Sequence, residues 1–289
     1  MTDSNTGAFT SGFGWPAPAK LNLFLHITGR RSDGYHQLQT VFQFLDYCDR
    51  LYFTPRGDAQ IQRLNNPANI DADHDLVVRA ARAIQRASGC PLGADIRIEK
   101  HIPLGGGLGG GSSNAATTLV ALNRLWNTGF TPDELAAIGV GLGADVPVFV
   151  RGVAAWAEGV GERLSRLDLP EPWYVIIVPP VLVSTAEIYA APELQRNCPP
   201  ISAEDFLNGH VTHNVLEPVT IARHPPVGDA LQWLRQFGDA RMSGSGAAVF
   251  LACADREGAD EIADRVPSRW VRFVARGCNR SPLRSAASR

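Results

Sequence analysis

The run Pro103-Leu104-Gly105-Gly106-Gly107-Leu108-Gly109-Gly110-Gly111-Ser112-Ser113-Asn114-Ala115-Ala116 constrains this chain more than any other stretch. Its glycines leave the backbone N–H groups unshielded and permit left-handed conformations that side chains resist. An Ala-rich helical pattern begins at once afterwards, so the loop leads into a helix N-terminus carrying partial positive charge. Such a loop can wrap a phosphate chain. A plain surface turn has no use for so many glycines ahead of a long helix.

The neighbours of the loop narrow the reading. Gly105, Gly107 and Gly110 satisfy G-x-G-x-x-G, the spacing of dinucleotide folds. The acids that follow, Asp133 and Glu134, stand in Thr131-Pro132-Asp133-Glu134, a capped helix start rather than the end of a second strand. A Walker-type loop needs Lys after its last glycine, and Ser112 stands there. Both readings are set aside.

At 289 residues the chain suits one large domain or two joined ones. Its 45% hydrophobic and 19% charged residues are those of a globular protein, and a net charge of -2 argues against a nucleic-acid surface. Cys48, Cys90, Cys198, Cys253 and Cys278 are scattered with no C-x-x-C pair, which suggests reduced thiols in a cytoplasmic setting. Met1 to Gly14 lacks a basic segment followed by an apolar run, and its Ser, Thr and Gly content suggests a disordered tail. The longest apolar segment, Trp173 to Val183, is broken by Pro179 and Pro180 and is too short to span a bilayer.

Ala19–Ile27, Leu38–Asp46, Arg50–Thr54 and Ile96–Lys100 read as strands, with a turn at Ser32-Asp33-Gly34. Leu76–Ser88, Ser112–Trp126 and Pro132–Leu142 read as helices. Val146–Val150 and Val153–Ala157 suggest a β-pair around Gly152, and Trp173–Val178 a buried strand. Short helical patterns at Thr185–Ala190 and Ala203–Leu207 precede a firmer one at Val227–Phe237. Strand Ala247–Cys253, helix Arg256–Val266 and strand Trp270–Ala275 close the chain. These groups lack strict βαβ alternation, which points to an α+β architecture.

Three further segments carry chemistry. Asp145 follows a Gly-rich turn after a helix, which presents its carboxylate at a loop tip, and Lys20 lies in a distant strand-like segment. If they meet, the ammonium orients the carboxylate. Tyr35 and His36 follow a tight Asp-Gly turn and offer a π-face beside a hydrogen-bonding ring, a suitable pair for holding a nucleobase.

In order and spacing, Pro18-Ala19-Lys20-Leu21-Asn22, the glycine loop, Gly143-Ala144-Asp145-Val146-Pro147 and Ser243-Gly244-Ser245-Gly246-Ala247 resemble the GHMP small-molecule kinases. The second motif of that family reads P-x-x-x-G-L-G-S-S-A-A. Here it is lengthened by two glycines, with Gly110 and Gly111 the natural candidates, and Asn114 interrupts its end. Asp33-Gly34-Tyr35-His36, Ala275-Arg276-Gly277 and Ser281-Pro282-Leu283 are similar to the branch that acts on a cytidylated sugar alcohol. The likeness runs from Trp15 to Leu283.

The resemblance implies a two-domain α+β fold of mixed sheets and helices with the active site in the interdomain cleft. Residues 15–152 plus 276–289 would form the ATP-binding domain and residues 153–275 the substrate-binding domain. It implies ATP as phosphoryl donor, Mg²⁺ between the phosphates, and a small-molecule cytidine diphosphate substrate phosphorylated on the 2-hydroxyl of its methylerythritol unit. No nucleic-acid or membrane partner is implied, and the expected state is a monomer or weak homodimer.

By the same resemblance Asp145 takes the hydroxyl proton and Lys20 assists. Pro103, Leu104, Gly105, Gly106, Gly107, Leu108, Gly109, Gly110, Gly111, Ser112, Ser113 and Asn114 hold the ATP phosphates. Ser112 and Ser113 are candidates for touching the metal, and equally for capping the helix. Lys100 and Asp75 fall where relatives contact the nucleoside. Relatives often have Asn at position 75, and Asp75 also suits N-capping of the Leu76 helix. Tyr35 and His36 take the cytidine, with Tyr189 as second aromatic wall, or packed on a helix face, and Thr185 nearby. Asn22 sits by the erythritol hydroxyls. A homoserine- or mevalonate-type kinase would not need the Tyr35-His36 block, and a non-catalytic ATP-binding module would need neither Lys20 nor Asp145.

Overall fold

Two long strands carry the molecule. In the computed structural model, which describes residues 13–66, 70–71, 73–210 and 212–287, β1 (Trp15–Arg30) and β2 (His36–Arg56) pair antiparallel. Residues 1–12, which hold most of the segment expected to be a disordered tail, lie outside the described residues.

The expected break of β2 at Tyr47-Cys48-Asp49 does not occur. Asp49 is wholly buried, and its carboxylate accepts the N–H groups of His101 (2.7 Å) and Ile102 (2.8 Å) and the Lys100 ammonium. A charged residue that reads as a strand end is an internal anchor for the segment entering the glycine loop.

After β3 (Ile61–Arg63), α1 (Leu76–Ser88) buries Val77, Val78, Ala80, Ala81 and Ile84, spaced on one helical face. Then come β4 (Gly93–Glu99), α2 (Gly110–Leu125) and α3 (Pro132–Val140), the last opened by a capping box between Thr131 and Glu134. The next apolar run corrects the sequence reading: Val146–Arg151 is helix α4, not a strand. Pro147 sits in its first turn, where no N–H is required, and Gly152 ends it in the left-handed conformation at φ 62°. A six-residue apolar run carries too little periodicity to separate the two states.

The chain continues through β5 (Ala155–Glu158), β6 (Arg163–Arg166), β7 (Trp173–Val178), α5 (Thr185–Ala190), α6 (Ala203–Leu207), α7 (Glu217–Arg223) and α8 (Pro225–Leu234). It closes with β8 (Arg241–Met242), β9 (Val249–Cys253), α9 (Arg256–Asp264), β10 (Val271–Cys278) and α10 (Pro282–Ala287).

Among the described residues the sheet runs β3-β4-β2-β10-β7-β9-β8, with β1 and β5 also paired to β2. Its pairings are antiparallel except β3 on β4. The two halves join where Gly277 and Cys278 of β10 meet Leu45 and Phe44 of β2. One core lies where α1, α2, α3 and α4 cover β2 and β4, another where α5, α7, α8 and α9 cover β7 and β9. A third, including Leu21, Leu45, Ile102, Leu108, Ile176 and Ala248, binds the halves together beneath the glycine loop. No helix among the described residues is long and apolar enough to cross a membrane.

Because Asp49 ties β2 to the base of the loop, Asp49→Ala should strand Lys100 and two N–H groups. We predict a loss of about 3–5 kcal/mol in denaturant unfolding; a loss below about 1 kcal/mol would show that the anchor is not needed.

Candidate active site

The glycine loop is stitched into the scaffold through its carbonyls. Lys20 N–H donates to Leu108 O (3.0 Å), Ala247 N–H to Gly105 O (3.2 Å), Ala248 N–H to Gly106 O (3.0 Å) and the Ser243 hydroxyl to Gly107 O (3.3 Å). At Gly107, with φ at +70°, a Cβ would lie 2.4 Å from the Ser243 carbonyl oxygen, so only glycine lets the two loops approach this closely.

Gly109 is the N-cap of α2 at φ 71° and supplies no side chain to cap it. The ladder starts with Ser113 N–H on Gly109 O (2.8 Å). The first-turn N–H groups of Gly110, Gly111 and Ser112 therefore have no intrahelical acceptor. These three residues line a cleft of about 980 Å³. Unspent N–H groups at a helix N-terminus, open to a cavity, form an anion cradle.

Against the loop lies a buried cation. Lys20, 3% exposed, donates to Asn22 Oδ1 and stands 3.3 Å from Asp145 Oδ2. Asn22 is held in turn by its N–H on the Ser243 hydroxyl (3.1 Å) and its Nδ2 on Thr40 Oγ1 (2.9 Å). Asp145 precedes α4 without capping it, so its carboxylate is left for Lys20 and for the cleft. With three ammonium donors and two acceptors, Lys20 keeps one N–H in reserve.

The far end carries the rings. His36 and Tyr189 lie 5.4 Å apart between centroids at 49°, and both line the cleft. Tyr35 stands at the rim, 65% exposed, and the turn before it is held by its N–H on Asp33 Oδ1 (3.1 Å). The Thr185 and Ser245 hydroxyls share a hydrogen bond of 2.8 Å. Burial, reinforced by the Asp145 charge, raises the Tyr189 phenol above its ordinary pKa.

Lys20, Asn22, Tyr35, His36, Lys100, Thr185, Tyr189, Asp145 and Pro103 through Ser112 all line this one cleft. Ser113, Asn114 and Asp75 do not. Ser113 and Asn114 are buried in α2, with Ser113 Oγ and Asn114 Oδ1 unpartnered. Asp75 caps α1, accepting Val77 N–H at 2.8 Å, and forms an ion pair with Arg63 on β3. Arg30 and Arg196 also line the cleft, and no motif in the sequence marks Arg196.

Comparison with known proteins matches the GHMP kinases N terminal domain over residues 75–153 and the GHMP kinases C terminal domain over residues 190–272. The chain belongs to the GHMP kinases. This GHMP kinase is thus an enzyme that transfers phosphate from ATP to a small molecule. It is 56% identical to 4-diphosphocytidyl-2-C-methyl-D-erythritol kinase of Nitrosococcus oceani over 93% of this chain and 96% of that one. It is 54% identical to the protein of the same name from Aromatoleum aromaticum, over 93% and 94%. A crystal structure of 4-(cytidine 5′-diphospho)-2C-methyl-D-erythritol kinase superposes with a TM-score of 0.81 at 34% identity, covering 92% of this chain and 99% of that one. Homoserine kinase from Cytophaga hutchinsonii, at 17% identity and a TM-score of 0.70 over 97% and 98% of the two chains, shares the fold.

A Cβ at position 109 would fall 2.8 Å from the Phe149 ring and 3.1 Å from Lys20 Cε, on a backbone at φ +71°. We predict that Gly109→Ala weakens ATP binding at least ~10-fold while circular dichroism keeps the native spectrum. An unchanged ATP affinity by calorimetry would remove the loop from the nucleotide site.

Proposed function

We propose that this GHMP kinase phosphorylates the 2-hydroxyl of 4-(cytidine 5′-diphospho)-2-C-methyl-D-erythritol with ATP, giving the 2-phosphate and ADP on the non-mevalonate route to isoprenoid precursors. The observation that carries this reading is the convergence of three unlike devices in one cleft: the anion cradle, the Lys20–Asp145 pair and the His36–Tyr189 rings. A phosphoryl donor, a reacting alcohol and a nucleobase each find a complementary wall. Relatives more than half identical, named for that substrate, support the same choice.

In this reading residues 15–152 plus 276–289 serve ATP and residues 153–275 serve substrate, with Tyr35, His36 and Asn22 reaching across from the first set. The first-turn N–H groups of α2 hold the phosphates. Asp145 accepts the proton of the 2-hydroxyl as that oxygen bonds to the γ-phosphorus, and the bond to the β–γ bridging oxygen breaks to release ADP. In a loose transfer the proton leaves late, so placing the oxygen in line is the larger part of the work of Asp145. Lys20 fixes the carboxylate, and its spare N–H is left for an anionic partner. Lys100 reaches the cleft beside Gly110 while it holds Asp49, where it can serve the nucleotide, and Asp75 contributes through α1.

Mg²⁺ fits what is present. It takes one or two protein oxygens and fills its shell with phosphate and water. Asp145 opens to the cleft, and Ser112 Oγ lies beside the Gly143 backbone, within 3.6 Å of where a Cβ would sit. Ser112 rather than buried Ser113 would then be the hydroxyl donor. When bound, the ion would neutralise charge on the β- and γ-phosphates. The five free cysteines suit a cytoplasmic setting.

The test is an ADP-release assay with the cytidylated alcohol, free methylerythritol, mevalonate and homoserine. Turnover should require the cytidylated compound, and Asp145→Asn should lower its kcat by about 10²–10⁴-fold with little change in ATP affinity. Equal turnover of mevalonate or homoserine, or an undiminished Asp145→Asn enzyme, would refute the assignment.

A further inference from the structure

Arg196 carries no sequence signal, yet its guanidinium sets the end of the cleft where the rings lie. Its Nε–H donates to His36 Nε2 at 3.0 Å. Its Nη1 donates to Leu194 O (2.9 Å), and its Nη2 to Tyr189 O (3.1 Å) and Ala191 O (2.7 Å). The three carbonyls belong to Tyr189 and the turn after α5. One cation thus holds both His36 and the backbone that presents Tyr189.

A guanidinium has only donors and stays charged. His36 Nε2 must therefore carry its lone pair toward Arg196, and the neutral ring must carry its proton on Nδ1. Burial, with the Arg196 and Arg30 cations nearby, lowers the His36 pKa below its ordinary value and keeps the ring neutral. Among the described residues nothing accepts the Nδ1–H, and the ring lines the cleft.

We propose that Arg196 is a specificity-determining positioning residue, which holds His36 as an obligate Nδ1–H donor and so makes the cleft select cytosine over uracil. The proposal rests on the cytidylated-substrate reading above. Cytosine presents an acceptor at ring N3, whereas uracil presents a donor there, so a fixed donor in the cleft pairs with the first and opposes the second. Without Arg196 the proton can move to Nε2, and Nδ1 becomes an acceptor that tolerates uracil. The same cation that orients the ring therefore sets the sign of its hydrogen bond.

The test compares kcat/KM for the cytidylated substrate and its uridine counterpart on the native enzyme, Arg196→Met, His36→Ala and the double variant. The native enzyme should prefer cytidine by about 100-fold or more, and Arg196→Met should cut that preference about 10-fold, mainly through KM. The double variant should discriminate no less than His36→Ala alone, because Arg196 acts through His36.

A pH profile gives a second readout. Substrate KM in the native enzyme should stay flat through neutral pH and rise only below the ordinary histidine range, as His36 protonates and loses its lone pair to Arg196. In Arg196→Met this rise should be absent, since no cation is left to lose the lone pair and protonation returns a proton to Nδ1. Nitrogen-15 NMR of the native protein should show His36 as the Nδ1–H tautomer whatever the substrate. The proposal is overturned by a dominant Nε2–H tautomer, by an unchanged cytidine preference in Arg196→Met, or by an equal further loss in the His36→Ala background. Failure of the native enzyme to turn over the cytidylated alcohol, with the Nδ1–H tautomer present, would instead sink the substrate reading.

Discussion

A buried ammonium needs partners, and the cleft is arranged around the need of Lys20 for them. Taking an unpaired charge out of water costs several kcal/mol even after relaxation, so Lys20 is tolerable only with Asn22 and Asp145 in place. The same residue, through its backbone N–H, holds the Leu108 carbonyl and thereby the glycine loop. One position on β1 thus ties the glycine loop, the carboxylate before α4 and the polar net of Asn22 and Ser243 into a single geometry.

The two halves of the molecule meet where this net lies. The shared core beneath the loop includes Leu21 of β1, Leu108 of the glycine loop and Ala248 beside the Ser243–Gly246 turn. Packing there excludes water from one side of the net, which strengthens its electrostatics. At the far end Arg196 holds His36 and the Tyr189 backbone as Lys20 holds Asn22 and Asp145: a cation with several fixed acceptors converts flexible side chains into oriented ones.

Much of this could be read before any coordinates. The glycine loop, Lys20, Asp145 and the Tyr35-His36 pair stand out because they break the ordinary economy of a sequence: too many glycines, a charge inside an apolar strand, rings beside a tight turn. Helices such as Leu76–Ser88 were readable because an apolar face repeats over several turns. The misreadings came where local pattern is short or polarity misleads. Val146–Arg151 is too brief to show its period, and Asp49 reads as a strand break until its three donors, all distant in sequence, are seen. Arg196 was out of reach for the same reason, since its acceptors acquire meaning only when the turn after α5 folds against β2. Ser113 and Asn114 share a motif with Ser112, but the helix turns their side chains away from the cleft.

The account stands or falls on Lys20 and Asp145 working as one unit. The direct measurement is a double-mutant cycle on kcat with Lys20→Met, Asp145→Asn and the pair, each checked for native ATP affinity. Groups that act jointly lose little more together than singly. We expect the double variant to match the slower single variant within a few-fold. Rate losses that multiply across the two substitutions would mean that the ammonium and the carboxylate act independently, and would contradict the account.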